Sequence, residues 1–533
     1  MRVPLALIFL LAFIAIASGA RRSERGGVAP SAASQPTRAM SARIDALLAE
    51  GWQAAGVEPA DAASNGEFLR RASLDLTGVI PRTSEVREFL ADARPDKRSR
   101  LIERLLSAPR YATHMATTWR NRILPLGVDS ERGREALGLQ KWLRTRFAEN
   151  TRYDRIVGGL LLATGENELG PALYFQANDA APEKLAGSAA ELFMGVDLHC
   201  AQCHDHPFAE WSQHDFWALA AFFARTKSAD EGALDPRSMS YRLVDADRGE
   251  VTLPESDEVV PPRFPLGSPA ADEPWQSRRS QLVVWLTSRD NEFFARSTVN
   301  AAWQHLFGQA LVETIRPLEG EPPSTQRQLL DELEEYFVAT DFDIRALWRA
   351  LANSRAYQLS SEHADPDAAR PELFARMLPK SLTPEQLYDS FTLLAPPPTP
   401  VEGDGATPAV ALSLDEDPLR IEFVRRMRTP PGNATEYRAG TLQALMLMNG
   451  PFTAAAASAD RSSLLGALEA PFMSDNERID ALFLATLARP PEADEREACL
   501  VELRNVETPA GRRRAESDVL WALLNSTEFA FNH

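Results

Sequence analysis

The sequence predicts a mainly α fold: two helical domains joined by a linker rich in Pro and acidic residues, with room in that linker for one small β-hairpin. Three observations carry this prediction. Apolar residues recur at helical spacing on both sides of the middle of the chain, as in Leu101, Ile102, Leu105 and Leu106 and again in Leu329, Leu330, Leu333 and Phe337. The pattern breaks between Lys227 and Asp272 into Pro, Asp, Glu and Gly. The chain holds 38 Pro and 28 Gly, so its helices must be short and often interrupted.

The first residues, 1–20, read as an address rather than as fold. Arg2 precedes an apolar run from Val3 to Ala17, and Ser18-Gly19-Ala20 supply small residues at its exit, the pattern of a secretory signal peptide. The run is about 15 residues, short of the ~20 that cross a bilayer, so an uncleaved N-terminal segment is the alternative and the one foreseen contact with a membrane. Arg21, Arg22 and Arg25 follow it, a charge placement that opposes translocation. Residues 21–40 are rich in Ser, Ala, Arg, Gly and Pro without apolar periodicity, as in a flexible tether. The expected address is outside the cytoplasm, periplasmic or at the cell surface.

Folded sequence is expected from Ser41. Residues 41–227 form the first helical domain, opening on Ile44, Leu47 and Leu48. Residues 228–272 form the linker, in which Tyr241 to Leu253 alternates around Asp247-Arg248-Gly249 as a hairpin would. Residues 273–533 form the second domain, with stripes at Leu282, Trp285 and Leu286 and at Ile344, Leu347 and Trp348. Pro396 to Pro408 reads as a surface loop, and Pro418 to His533 returns to helical spacing and closes on Trp521, Leu523, Leu524 and Phe529.

With 533 residues, 44% apolar and 25% charged, the chain can bury full cores without disulfide staples. The net charge of −18 and the lack of a long basic block argue against nucleic acid as a partner, since phosphate neutralisation needs clustered Lys and Arg. There is no Walker loop, no G-x-S-x-G elbow and no H-E-x-x-H helix. The pair Glu334-Glu335 reads as a solvated helix face rather than as glycosidase carboxylates. Whether the chain is an enzyme stays open at this level.

Chemistry concentrates in Cys200-Ala201-Gln202-Cys203-His204, which holds two of the three cysteines; Cys499 reads as a lone buried thiol. C-x-x-C-H is the signature of c-type haem attachment. Two thiols about one helical turn apart can each form a thioether to a haem vinyl group, and the adjacent imidazole then reaches the iron. Two other readings use the same residues. A divalent metal could take Cys200, Cys203, His204 and His206, or the His204, Asp205 and His206 run, although structural zinc sites usually draw on two separated knuckles. A local disulfide between Cys200 and Cys203 suits an oxidising compartment and a non-catalytic surface scaffold.

Two helices should flank the motif. Pro182 to Met194 starts with Pro in its first turn and buries Leu185, Leu192 and Phe193; Ser212 and Asp215 form a capping box before the stripe Phe216, Leu219, Ala220 and Phe223. Phe216, Phe223 or His305 would wall a haem hollow beside His204. Candidates for a further iron ligand are His206, His214, Met239 and His305.

Several stretches resemble one known family. Ala72-Ser73-Leu74-Asp75-Leu76-Thr77-Gly78-Val79-Ile80-Pro81, the run from Leu192 to Val196 that leads into Cys200 to Phe208, and Ala220-Ala221-Phe222-Phe223 are similar to the first domain of the planctomycete-type secreted cytochrome-like family. Trp285 to Asn291, Trp303 to Gly308, Asn353 to Tyr357 and Leu524 to Phe529 resemble its second domain. Both domains are of unknown function. The resemblance implies an exported protein and, as a partner, a co-exported sulfatase-like protein; haem c held by Cys200, Cys203 and His204, with a redox partner, is what the C-x-x-C-H motif itself implies. The chain departs from the family at Thr118-Trp119-Arg120-Asn121, where many relatives have His-Trp-Leu-Asp, and at Ala301, where many have Arg. Roles resting on that His or Arg do not transfer here. The expected function is electron transfer or a haem-dependent redox step; the alternatives are a metal-dependent extracellular enzyme acting on polymers and a non-catalytic scaffold.

Overall fold

The computed structural model describes residues 34–124, 133–164, 169–206, 210–228, 242–271, 276–316, 324–395, 417–427, 441–458, 460–506 and 508–533. The signal segment, the tether as far as residue 33, Met239 and the loop from Pro396 to Pro408 lie outside the described residues. The fold is mainly helical, as the spacing predicts, and its strands form only two-stranded sheets. No helix of the described residues is long and apolar enough to cross a membrane.

Helix α1 (Ser34–Ala55) starts inside the expected tether, because Thr37 and Ser41 are buried by hydrogen bonds to the second half. Thr37 and Met40 are buried with Ile44, Leu47 and Leu48, and the Thr37 and Tyr336 hydroxyls lie 3.0 Å apart. Helix α2 (Asn65–Thr77) is capped by Ser64, whose hydroxyl accepts from the Glu67 N–H at 3.1 Å. It stops at Gly78, whose φ of +72° is the left-handed conformation that ends helices. Then follow α3 (Thr83–Ala91), α4 (Lys97–Ser107), α5 (Pro109–Ile123), α6 (Gly133–Ala148), α7 (Tyr153–Leu161) and α8 (Leu169–Ala177). Helix α9 (Pro182–Ala189) runs into a π turn (Ala190–Met194), and α10 is Gln213–Ala220.

The expected hairpin around Asp247-Arg248-Gly249 is replaced by two other pairings. β1 (Thr226–Ser228) pairs with β2 (Leu243–Asp245), and β3 (Val251–Thr252) pairs with β4 (Val259–Val260), both antiparallel. The reason is burial. Val251 and Val260 oppose each other and pack on Ala218, Ala221 and Ala224 at the end of α10. Gly249, at φ +155°, lies so close to this helix end that a Cβ would sit 2.3 Å from the Ala224 carbonyl, so the segment straps onto α10 instead of turning back on itself.

The second half comprises α11 (Arg278–Leu286), α12 (Phe294–Phe307), α13 (Thr325–Ala339), α14 (Ile344–Ala352), β5 (Lys380–Ser381), α15 (Pro384–Leu394), α16 (Pro418–Met427), α17 (Thr441–Asn449), α18 (Pro451–Ala456), α19 (Ser463–Leu468), α20 (Asp475–Thr486), α21 (Ala493–Arg504), α22 (Pro509–Leu524), α23 (Thr527–Ala530) and β6 (Phe531–Asn532). Helices α11 to α14 pack with the first half: one core gathers residues from Met40 to Met377, with Leu484 and Ala488 from the end of α20 and its exit, so that Trp119 meets Trp348 edge-on and Tyr153 stacks on Phe294 across the segment 228–272. A second core gathers residues from Leu382 to Phe529 and adds Leu74 and Ile80 from α2 and its exit.

Helix α2 is therefore the wall between the cores, and its charged residues stitch them. Arg70 donates to the Thr486 carbonyl at 3.0 Å and the Phe529 carbonyl at 2.8 Å; Arg71 donates to the carbonyls of Tyr357 at 2.6 Å and Leu359 at 2.8 Å. One turn on, Asp75 accepts from Lys380 at 2.6 Å, Asn532 at 2.7 Å and Tyr357 at 2.8 Å. Lys380 and Asn532 face each other across the β5–β6 pair. These residues are buried, and each charged one makes hydrogen bonds to the other side of the seam, which is the condition for keeping charge in a core; Arg70 Nε and Asn532 Oδ1 are left without a partner among the described residues.

Candidate functional site

The motif sits in a loop between the π turn and α10. Gly195 makes the exit from the π turn possible: its φ is +66°, and a Cβ there would lie 2.5 Å from Ile315. Cys200–Gln202 is a single 3₁₀ turn, closed by the Gln202 N–H on the His199 carbonyl at 3.3 Å and preceded by the Ala201 N–H on the Leu198 carbonyl at 3.0 Å. Ala201 is buried and anchors the turn, while Cys200 and Cys203 are exposed free thiols.

Helix α10 holds the loop from the other side. Gln213 donates its amide to the Cys203 carbonyl at 3.0 Å and the Gln202 carbonyl at 3.3 Å, and the Trp217 indole donates to Gln202 at 3.1 Å. The Asp205 carboxylate accepts from the Gln213 N–H at 2.8 Å and is thereby engaged at the start of α10. The predicted box is present: the Ser212 hydroxyl accepts from the Asp215 N–H at 3.1 Å, and the Asp215 carboxylate accepts from the Ser212 N–H at 2.9 Å.

His204 is exposed, and its Nδ1 lies 2.7 Å from the Asp205 carbonyl. A carbonyl only accepts, so Nδ1 carries the hydrogen and Nε2 keeps its lone pair for a metal or a proton. The N–H of His206 donates to the Trp211 carbonyl at 2.7 Å, which closes the far side of the loop. A residue that the motif reading passed over completes the rim. His199 directly precedes Cys200, and its Nδ1 lies 2.8 Å from the Asp197 carboxylate. The His199 N–H, then its ring and the nearby His206 hold Asp197 below the usual carboxylate range. The sequence signal for this pair is an Asp two residues before a His that abuts the motif.

The structure gives the remaining candidates other surroundings. His305 is half-buried, with Nε2 2.9 Å from the Asp75 carbonyl and its ring against Trp348 and His114. Burial pushes its pKa down. His214, in the first turn of α10, faces Glu258 at 3.7 Å. Phe216 and Phe223 lie inside the main core, so they do not wall a hollow beside His204. Among the described residues no group of three or more His, Cys, Asp and Glu side chains is gathered as a metal cage.

The attachment donors fit a covalently held haem: two accessible thiols in one turn and an imidazole whose Nδ1 is already tied to a carbonyl. The enclosing walls expected from Phe216, Phe223 and His305 are absent, so such a group would lie against an open surface. Two of the departures are engaged locally: Asn121 donates to the Glu385 carboxylate at 2.9 Å, and Arg120 lies 3.8 Å from it.

Residues 43–228 match a family model described as a protein of unknown function, DUF1549, and residues 278–411 match a second so described, DUF1553. The chain carries both domains of unknown function. The pairing matches the two-domain resemblance read from the sequence, with the pentad in the DUF1549 region. The main core runs through both regions, and Asp75 of the first is joined to Tyr357 and Lys380 of the second. No curated protein and no solved structure matches the chain.

Proposed function

We propose that this chain is an exported carrier of covalently attached haem c, working in electron transfer or in a haem-dependent redox step with a redox partner outside the cytoplasm. The observation that carries the reading is the pair of exposed, unpaired thiols of Cys200 and Cys203 beside an imidazole with a free Nε2. Bound haem supplies one-electron redox chemistry. The chain's own residues do the positioning. Cys200 and Cys203 would hold the group and His204 would ligate its iron, while Gln213 and Trp217 fix the carbonyls of the turn that carries the thiols.

The open setting favours electron transfer, because a partner can approach the attached group without a channel. It also favours a low reduction potential, since water stabilises the extra positive charge of the oxidised iron. Export is supported by the signal-like residues 1–20.

The test is intact mass with a visible spectrum on protein exported from a host competent in haem maturation. A gain of roughly 616 Da and a Soret band, both lost in Cys200→Ala/Cys203→Ala, are expected. Neither signal despite competent maturation removes the reading. Elemental analysis would then separate a divalent-metal site from a disulfide scaffold.

A further inference from the structure

The haem reading leaves unused the stretches Asn353 to Tyr357 and Leu524 to Phe529. Asn353, Arg355 and Glu528 from them, with Glu67 at the start of α2, line one groove of about 1860 Å³, and no residue from 199–206 lines it. Its walls come from α1, the loop before α2, the first turn of α2, residues 353–364 and the C-terminal region, so it lies along the seam between the two cores. The volume is well above the ~300–1,000 Å³ of pockets for small molecules, which leaves room for an oligomeric occupant.

The walls are rigid. Glu67 accepts from Arg71 at 2.7 Å and from the Ser361 N–H at 2.9 Å; His363 lies 2.7 Å from the Glu58 carbonyl and accepts from the Asp365 N–H at 2.9 Å. The lining is polar and of one sign. Seven carboxylates and three guanidinium groups line it among the described residues, a far stronger bias than the 75 to 57 of the whole chain. The three cations are engaged: Arg489 clamps Glu495 and Glu528, Arg98 donates to the Ala63 carbonyl, and Arg355 lies over Trp52. By contrast Glu58, Asp61 and Glu362 are exposed and have no side-chain partner among the described residues.

These features select the occupant. An anionic polymer is repelled. Sugar rings are held through their apolar faces on aromatic side chains, but Trp52 is the one indole or phenyl ring in the lining, 3% exposed and covered by Arg355. From the groove's size, sign and lack of an aromatic platform we infer that it is a docking site for an extended basic peptide segment, with Glu58, Asp61 and Glu362 pairing with its Lys or Arg side chains.

The experiment follows the anisotropy of a labelled peptide of alternating Lys and Gly titrated with the full chain. Binding that weakens about tenfold on raising the salt, together with no binding of the matched Glu-Gly peptide, is expected. Glu58→Gln/Asp61→Asn/Glu362→Gln, on exposed positions, should lower the affinity about tenfold while leaving the circular dichroism unchanged. Cys200→Ser/Cys203→Ser should bind as the parent does, which keeps this result separate from the fate of the haem reading. Equal binding by the triple variant, loss of binding in the cysteine variant, no binding at all, or tighter binding of a chitosan oligomer than of the peptide would each overturn the assignment.

Discussion

The Lys380 ammonium donates to the Asp75 carboxylate at 2.6 Å, with the two side chains 7% and 4% exposed. Burial pushes the lysine pKa down while the carboxylate opposes this, and the His305 and Leu306 carbonyls take its remaining hydrogens at 2.9 and 2.7 Å. A buried pair of this kind is costly to break from one side, because the partner is left charged without compensation. Lys380→Met should therefore cost about 3–5 kcal/mol, and Asp75→Asn/Lys380→Met less than the sum of the single changes. Urea unfolding followed by tryptophan fluorescence measures both. A single-variant cost near zero would contradict the burial.

The two half-buried imidazoles beside this pair make stability depend on pH. The rings of His114 and His305 lie 5.7 Å apart, and burial, with His305 adding to it, pushes His114 down to about 3. His305 is also lowered, by burial first. Both stay neutral in the fold while the unfolded chain takes up protons below about pH 6.5, so stability falls as pH falls from there toward 3. The slope attributable to His114 approaches about 1 kcal/mol per pH unit. Urea midpoints from pH 7 to pH 4.5 should fall more steeply in the parent than in His114→Gln. Parallel curves would mean that the ring is not held neutral.

Thiol reactivity distinguishes the three cysteines. Cys200 and Cys203 are exposed, whereas Cys499 on α21 is half-buried, its thiol pushed up by burial and then by Glu495 and Glu502. Reduced protein made without haem maturation should give two fast thiols with Ellman's reagent at pH 8 and a third about tenfold slower, released by urea. A single reactive thiol before reduction would identify the Cys200 to Cys203 disulfide.

What the sequence made legible was local. The capping box of Ser212 and Asp215 and the stripe of Phe216, Leu219 and Ala220 are set by neighbours a few residues apart, and they stand as read. His305 could not be placed this way. Its partner, the Asp75 carbonyl, lies 230 residues away, and Asn532 reaches the carboxylate of the same Asp75 across 457. The strands of the linker were visible as alternation, but their partners were decided by which valines could reach α10. The start of α1 was missed because Thr37 and Ser41 are polar residues buried by hydrogen bonds to Tyr336 and to the Ala350 carbonyl, not by apolar character. His199 was open to view and was passed over because attention stopped at the first cysteine.

The same distinction bears on whether residues 41–227 form a domain that folds alone. Periodicity describes each helix's apolar face but not what covers it, and here the cover comes from the second half. Trp119 packs on Trp348, Tyr153 on Phe294 and Trp211 on Phe293, while the start of α1 bonds to Tyr336 and Ala350. Each large side chain stripped of such a neighbour forfeits on the order of 1–3 kcal/mol of burial, and several losses together exceed the ~5–15 kcal/mol that holds a typical domain folded. Residues 34–228 expressed alone should therefore lack near-UV circular dichroism and a cooperative unfolding transition, and co-expression with residues 276–533 should restore both. A cooperative transition in the isolated fragment would show that the shared core joins two domains already folded, and the seam with its groove would then be an interface rather than part of one core.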